Sequence, residues 1–131
     1  MTEIDEPVGE KLAQAVMVAR GGVPMKGYRS AVYMLNGTEV IVTSDELTTF
    51  FSKVELDYHN RPDLNIAQAW DLVAEMTSTI ENSKDGCACF LRVGVVPEMP
   101  ATTIHRVVVG RGKTASEAIC RAFLKAKAEQ R

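Results

Sequence analysis

Residues 87–96 constrain the fold more than any other stretch, because they are apolar on both parities of a strand. Cys87, Cys89, Leu91, Val93 and Val95 fall on one side, and Ala88, Phe90 and Val96 on the other. A strand sends alternate side chains to opposite faces, so such a segment needs cover on both. Helices must supply that cover, and the rest of the chain offers them. Pro7 suits the first turn of a helix along which Val8, Leu12, Val16 and Ala19 recur at helical spacing, and Gly21-Gly22 end it. Residues 22–27 carry Pro24 and read as a connecting loop.

A hairpin is expected next: 28–35 and 38–43 flank Asn36-Gly37, whose tolerance of positive φ suits a two-residue type I′ turn. Thr43 and Glu46 have capping-box spacing ahead of Leu47, Phe50 and Phe51, which predicts a short helix over 44–52. Residues 54–64, with Asp57, Asn60, Arg61, Pro62 and Asp63, read as a polar loop. Asn65 is an N-cap with Gln68 behind it, and Ile66, Ala69, Trp70, Val73, Met76 or Thr77, and Ile80 share one stripe. That stripe predicts a core-facing helix with Trp70 as its anchor.

Ser83-Lys84-Asp85-Gly86 is a turn, 97–102 a proline-bounded loop and 103–109 a fourth strand. Gly110-Arg111-Gly112-Lys113 then lead into a final helix with a capping box of Thr114 and Glu117. Ala118, Ile119, Ala122, Phe123 and Ala126 build its apolar face, and Arg121, Lys125, Lys127 and Glu129 lie mainly outside it. The expected architecture is α+β, a three-layer α/β/α sandwich whose four-stranded, largely antiparallel sheet carries helices on both faces. A single domain over 7–131 follows an acidic lead of residues 1–6.

The segments Asp63-Leu64-Asn65-Ile66-Ala67-Gln68-Ala69-Trp70-Asp71-Leu72-Val73 and Thr114-Ala115-Ser116-Glu117-Ala118-Ile119-Cys120-Arg121-Ala122-Phe123-Leu124-Lys125-Ala126 resemble those of small bacteriophage proteins with the phage ABA sandwich domain. That family is similar in its Ala-Trp helix and in a C-terminal helix of Thr-x-x-x-Ala-Ile-Cys-Arg-Ala-x-Leu type. The resemblance covers the C-terminal half with some specificity and implies a phage accessory protein acting in the cytoplasm of the infected bacterial host. It brings no catalytic residues.

Seventeen acids against fifteen bases give a net charge of -2, so no broad positive field draws a nucleic-acid backbone. Residues 1–6 lack the make-up of a signal peptide, and no apolar run approaches the ~18 residues of a membrane span. Cys87, Cys89 and Cys120 are expected as reduced, small core residues. A metal site joining them to His59 or His105 is disfavoured: pairing 87–96 with 103–109 puts His105 near Gly94, several residues from the thiols. The two histidines fit no nucleophile signature, and Asp57, Asp63 and Asp71 read as solvated loop and cap residues. No cofactor is expected.

Gly110-Arg111-Gly112-Lys113-Thr114 is the sharpest local feature. A strand running into a helix start gathers free amides, a dipole, bases and a hydroxyl, so Arg111, Gly112, Lys113 and Thr114 could hold an anion. The first glycine of a P-loop would fall at Val107, so the nucleotide-hydrolase signature fails. The alternative is a glycine turn before a capped helix. Tyr58 and Arg61, beside His59 in the polar loop, could stack on a base or anchor a partner. With the resemblance, these features predict a non-enzymatic phage accessory protein, a counter-defence inhibitor that binds a host protein or sequesters a phosphorylated, nucleotide-type signal. A homo-oligomer is expected. The competing readings are a small nucleotide-acting enzyme and a ligand-free scaffold or assembly protein.

Overall fold

The computed structural model describes residues 7–25, 31–48, 60–74, 76, 78–93 and 106–129. The expected acidic lead, Tyr58, both histidines and the 97–102 loop lie outside them. The chain gathers into two compact units, Met1–Gln68 and Ala69–Arg131. Each contains one three-stranded antiparallel sheet, so the described strands form two sheets where a single four-stranded sheet was expected. The mixed α+β class stands.

In the first unit, helix α1 (Gly9–Ala19) places Leu12, Ala13, Val16 and Met17 inside. It ends in a Schellman motif: Gly22 N–H donates to Met17 O at 2.9 Å, Gly21 N–H to Val18 O at 3.0 Å, and Gly21 holds φ +98°. The expected loop after it contains a short strand, β1 (Val23–Pro24), which pairs with β2 (Ala31–Leu35). Pro24 is tolerated there because an edge strand can spare an amide donor. Strand β3 (Thr38–Val42) completes the sheet, and Asn36 at φ 52° with Gly37 at φ 82° form the expected I′ turn. That turn sets Leu35 opposite Thr38 and Ala31 opposite Val42, so Tyr33, Leu35 and Val42 share a face and meet Ala13 and Met17 in one core.

Only Asp45–Thr48 of the helix expected over 44–52 is described, as α2; residues 49–52 lie outside. Thr43 does not cap it, because its buried hydroxyl has no hydrogen-bond partner. Asp45 N–H donates to Glu10 Oε1 at 3.4 Å, while Asp45 Oδ1 accepts the Glu10 N–H at 3.1 Å, so α1 and α2 cap each other.

Helix α3 (Ile66–Leu72) starts as expected, with Asn65 Oδ1 accepting the Gln68 N–H at 3.1 Å. It does not reach Ile80. Ser78–Ser83 is instead strand β4, antiparallel to β5 (Gly86–Val93). The run Thr77, Ser78, Thr79, Ile80 favours extended backbone, and the Lys84-Asp85 turn draws it into a hairpin. With the helix ended early, Ala69 and Val73 are buried but Trp70 is 41% exposed, so Trp70 is not the core anchor its spacing suggested.

In the second unit, β5 also pairs with β6 (Arg106–Gly112), in the register that opposes Val93 to Arg106 and Cys89 to Gly110. Helix α4 (Ala115–Glu129) packs on this sheet and buries Ala118, Ile119, Ala122, Phe123 and Ala126, the face read from the sequence, together with Cys120.

Candidate functional site

Strand β6 runs through Gly110, Arg111 and Gly112, so these residues are sheet and not the loop expected between strand and helix. Only Lys113 and Thr114 connect β6 to α4. Both glycines serve packing. A Cβ on Gly110 would run into the backbone of Ala118 and Ala122, and one on Gly112 would lie 2.8 Å from Glu117 Cβ. Gly86, at φ +136°, likewise closes onto Gly112 of the adjacent strand.

The start of α4 is satisfied from within. Thr114 Oγ1 accepts the Glu117 N–H at 3.2 Å, and Glu117 Oε1 accepts the Lys113 N–H at 3.4 Å. This is the expected capping box, its return bond shifted one residue back. Glu117 also pairs with Arg121 at 2.8 Å, so a carboxylate of the chain itself sits at the positive end of the helix. An incoming phosphate would have to displace it. The Arg111 carbonyl accepts from Arg121 Nη1 at 2.7 Å, while the Arg111 and Lys113 residues stay exposed.

Lys113 also borders the β4–β5 turn, where Asn82, Ser83, Lys84, Asp85, Gly86 and Cys87 line a shallow polar recess of about 290 Å³. Two lysines beside one aspartate give the recess a basic lean. Cys87 Sγ donates to Asn82 Oδ1 at 2.9 Å at its edge. Cys89, two residues on and facing the same side, is buried, and burial pushes its thiol up to about 11.

Arg61 belongs to the first unit, and its side chain is only 1% exposed. Its Nε and Nη2 donate to the two Asp63 carboxylate oxygens at 2.9 and 2.8 Å, Nη2 also to Asp45 at 2.8 Å, and Nη1 to the Thr43 carbonyl at 2.8 Å. Burial disfavours the charge, but Asp63 and Asp45 outweigh it and raise the pKa. The guanidinium is committed to the fold and no ligand reaches it. Asp63, expected as solvated, is buried as its partner. Of the residues named for an anion, Arg111, Gly112, Lys113 and Thr114 adjoin along the chain, Arg61 is enclosed by its own partners, and Tyr58 lies outside the described residues.

A second surface went unread in the sequence. The pairing puts Thr79, Glu81, Phe90, Arg92, Val107 and Val109 on the face of the β4–β5–β6 sheet opposite Cys89, Leu91 and Gly110. Around Val107, 51% exposed, that face is open, and Thr79, Glu81, Phe90, Leu91, Arg92 and Val107 line a depression of about 350 Å³, while Ala88 farther along the same face is buried. Its signal was the double apolar parity of 87–96, which demanded cover on two faces.

Among the described residues no three His, Cys, Asp or Glu side chains come together as metal ligands, and no helix is long and apolar enough to cross a membrane. No protein-family model matches the chain, and neither a curated protein nor a solved structure matches it.

Proposed function

We propose that the protein is a non-enzymatic bacteriophage accessory protein that acts by binding a host protein, as a counter-defence inhibitor would, in the cytoplasm of the infected cell. The observation that carries the binding mode is the open sheet face around Phe90 and Val107. An apolar floor flanked by Glu81 and Arg92 is the chemistry of a protein contact: burial supplies affinity, and the two opposite charges fix orientation. The phage assignment rests on the resemblance of the Ala-Trp helix and the C-terminal helix to phage ABA sandwich proteins. In this reading the partner lays an apolar surface on Phe90 and Val107, and the helix-on-both-faces layering of that family is completed on binding.

The polar recess beside Lys113 supports a second reading, sequestration of a phosphorylated, nucleotide-type ligand by Lys84 and Lys113. It is weakened by Glu117, which already occupies the adjoining helix start. Native mass spectrometry of tagged protein recovered from infected cells separates the two. A stoichiometric host protein supports the first reading, and a retained small phosphorylated molecule supports the second. Incubation with a nucleotide panel and Mg²⁺ tests the enzymatic alternative, for which turnover is the positive result. Recovery of the protein bare in the cytoplasm but retained in virions would favour a scaffold.

A further inference from the structure

The second unit's sheet has two edges, and they are treated differently. Along β6, Lys125 Nζ donates to the Val109 carbonyl and Arg121 Nη1 to the Arg111 carbonyl, each at 2.7 Å. Two cations from α4 thus seal the outward carbonyls of β6 against another strand. The same bonds fix the phase of the sheet. If Val109 and Arg111 turn their carbonyls outward, their cross-strand neighbours Phe90 and Ala88 turn theirs toward β4, onto Thr79 and Glu81. Ser78, Ile80 and Asn82 then direct their N–H and C=O groups off the β4 edge. Among the described residues β4 has a strand on one side only, and Thr79, Glu81, Asn82 and Ser83 are exposed.

We infer that β4 is the edge on which a second copy of this chain pairs, antiparallel about Ile80, joining two three-stranded sheets into one. Hydrogen-bonding phase allows an outward residue to pair only with another outward residue. Centring on Ile80 sets Ile80 against Ile80 and Ser78 against Asn82, all outward-directed. It also sets Thr79 opposite Glu81 in both halves of the symmetric contact. Two neighbouring registers keep the same phase: one centred on Thr79 would overlap only residues 78–80 of the strand, and one centred on Glu81 would oppose two carboxylates, and like charges directly opposite are destabilising. Overlap and charge together select the Ile80 register, and a two-fold axis there lets one short strand serve as both donor and acceptor. This inference does not depend on the host-protein reading.

The test is the dimer dissociation constant of the full chain by analytical ultracentrifugation. A wild-type dimer at high micromolar concentration is expected. Thr79→Lys places an ammonium opposite Glu81 twice per dimer and should tighten it roughly threefold to tenfold, while Thr79→Glu should loosen it by a similar factor. Both substitutions are on an exposed side chain, and circular dichroism checks that the fold is kept. Ile80→Pro removes the central edge amide and should give a monomer. A wild-type monomer, or Thr79→Lys and Thr79→Glu moving the constant in the same direction, would overturn the inference. So would a folded Ile80→Pro chain that still dimerises with wild-type affinity.

Discussion

Gly110 lies so close beneath Ala122 that a Cβ added to it would stand 2.7 Å from the Ala122 α-carbon. The contact is backbone against backbone, with no flexible side chain to yield. Gly110→Ala should therefore lift α4 off β6 and destabilise the protein by about 1–3 kcal/mol, toward the upper end. Urea denaturation followed by circular dichroism measures it. A loss below about 0.5 kcal/mol would mean that helix and strand are not in this contact.

The Arg61 pin is expected to be the most sensitive polar feature of the first unit. Arg61→Met leaves Asp63 buried without its bidentate partner, and breaking a buried pair from one side costs roughly 3–5 kcal/mol. Asp45→Asn should cost much less, since the Asp45 side chain is 58% exposed and water replaces part of the interaction. Equal effects from the two substitutions would show that Asp63 is not the principal partner.

Thiol chemistry should divide the cysteines. At pH 8, Cys87 reacts with a maleimide in the folded protein, while Cys89 and Cys120, both buried, react only on unfolding. Peptide mapping after a timed pulse reads the order. A pH effect follows from the same burial. Cys89 is held neutral to about 11 against an ordinary value of 9.0, and burial also raises Tyr33 above 10.0. The unfolded chain releases these protons first, so the Cys89 contribution is complete below pH 9 and drains away as the pH climbs through 9 to 11, while the Tyr33 contribution begins to fall only above pH 10. A midpoint in urea that stayed flat across that range would contradict it.

The cap and the bases at the start of α4 separate by mutation. Thr114→Ala removes the bond to the Glu117 amide and should cost about 1 kcal/mol. Arg111→Ala with Lys113→Ala should change stability by no more than about 0.5 kcal/mol, because the bond made by Arg111 uses its carbonyl and both side chains are exposed. If a phosphorylated ligand co-purifies with the wild type, the double variant should lose it. Retention there would reduce the segment to a cap.

Elements defined by local chemistry were legible: the Asn36-Gly37 turn, the Gly21-Gly22 stop, the Asn65 and Thr114 caps and the buried face of α4 all lie where side-chain spacing put them. Elements decided by pairing were not. Ile80 fits the helical stripe of Ala69 and Val73, yet the hairpin turn that follows claims it for β4. Gly110 and Gly112 read as a loop because glycine is scarce in strands, whereas close approach by a helix or a second strand is what selects it here. The same ambiguity made the segment look like an anion cradle. Arg61 in a run of polar residues gave no sign of burial, because its partners Thr43 and Asp45 lie well back along the chain.

The proposal stands most directly on capture of a host protein by wild type and by Val107→Asp, compared by native mass spectrometry from infected cells. Val107 is 51% exposed, so the substitution should leave the fold intact while placing a carboxylate on the open face, across from Arg92. The wild type is expected to retain a stoichiometric host protein, and Val107→Asp, still folded by circular dichroism, to lose it. A host protein held equally by both, or by neither, would contradict it.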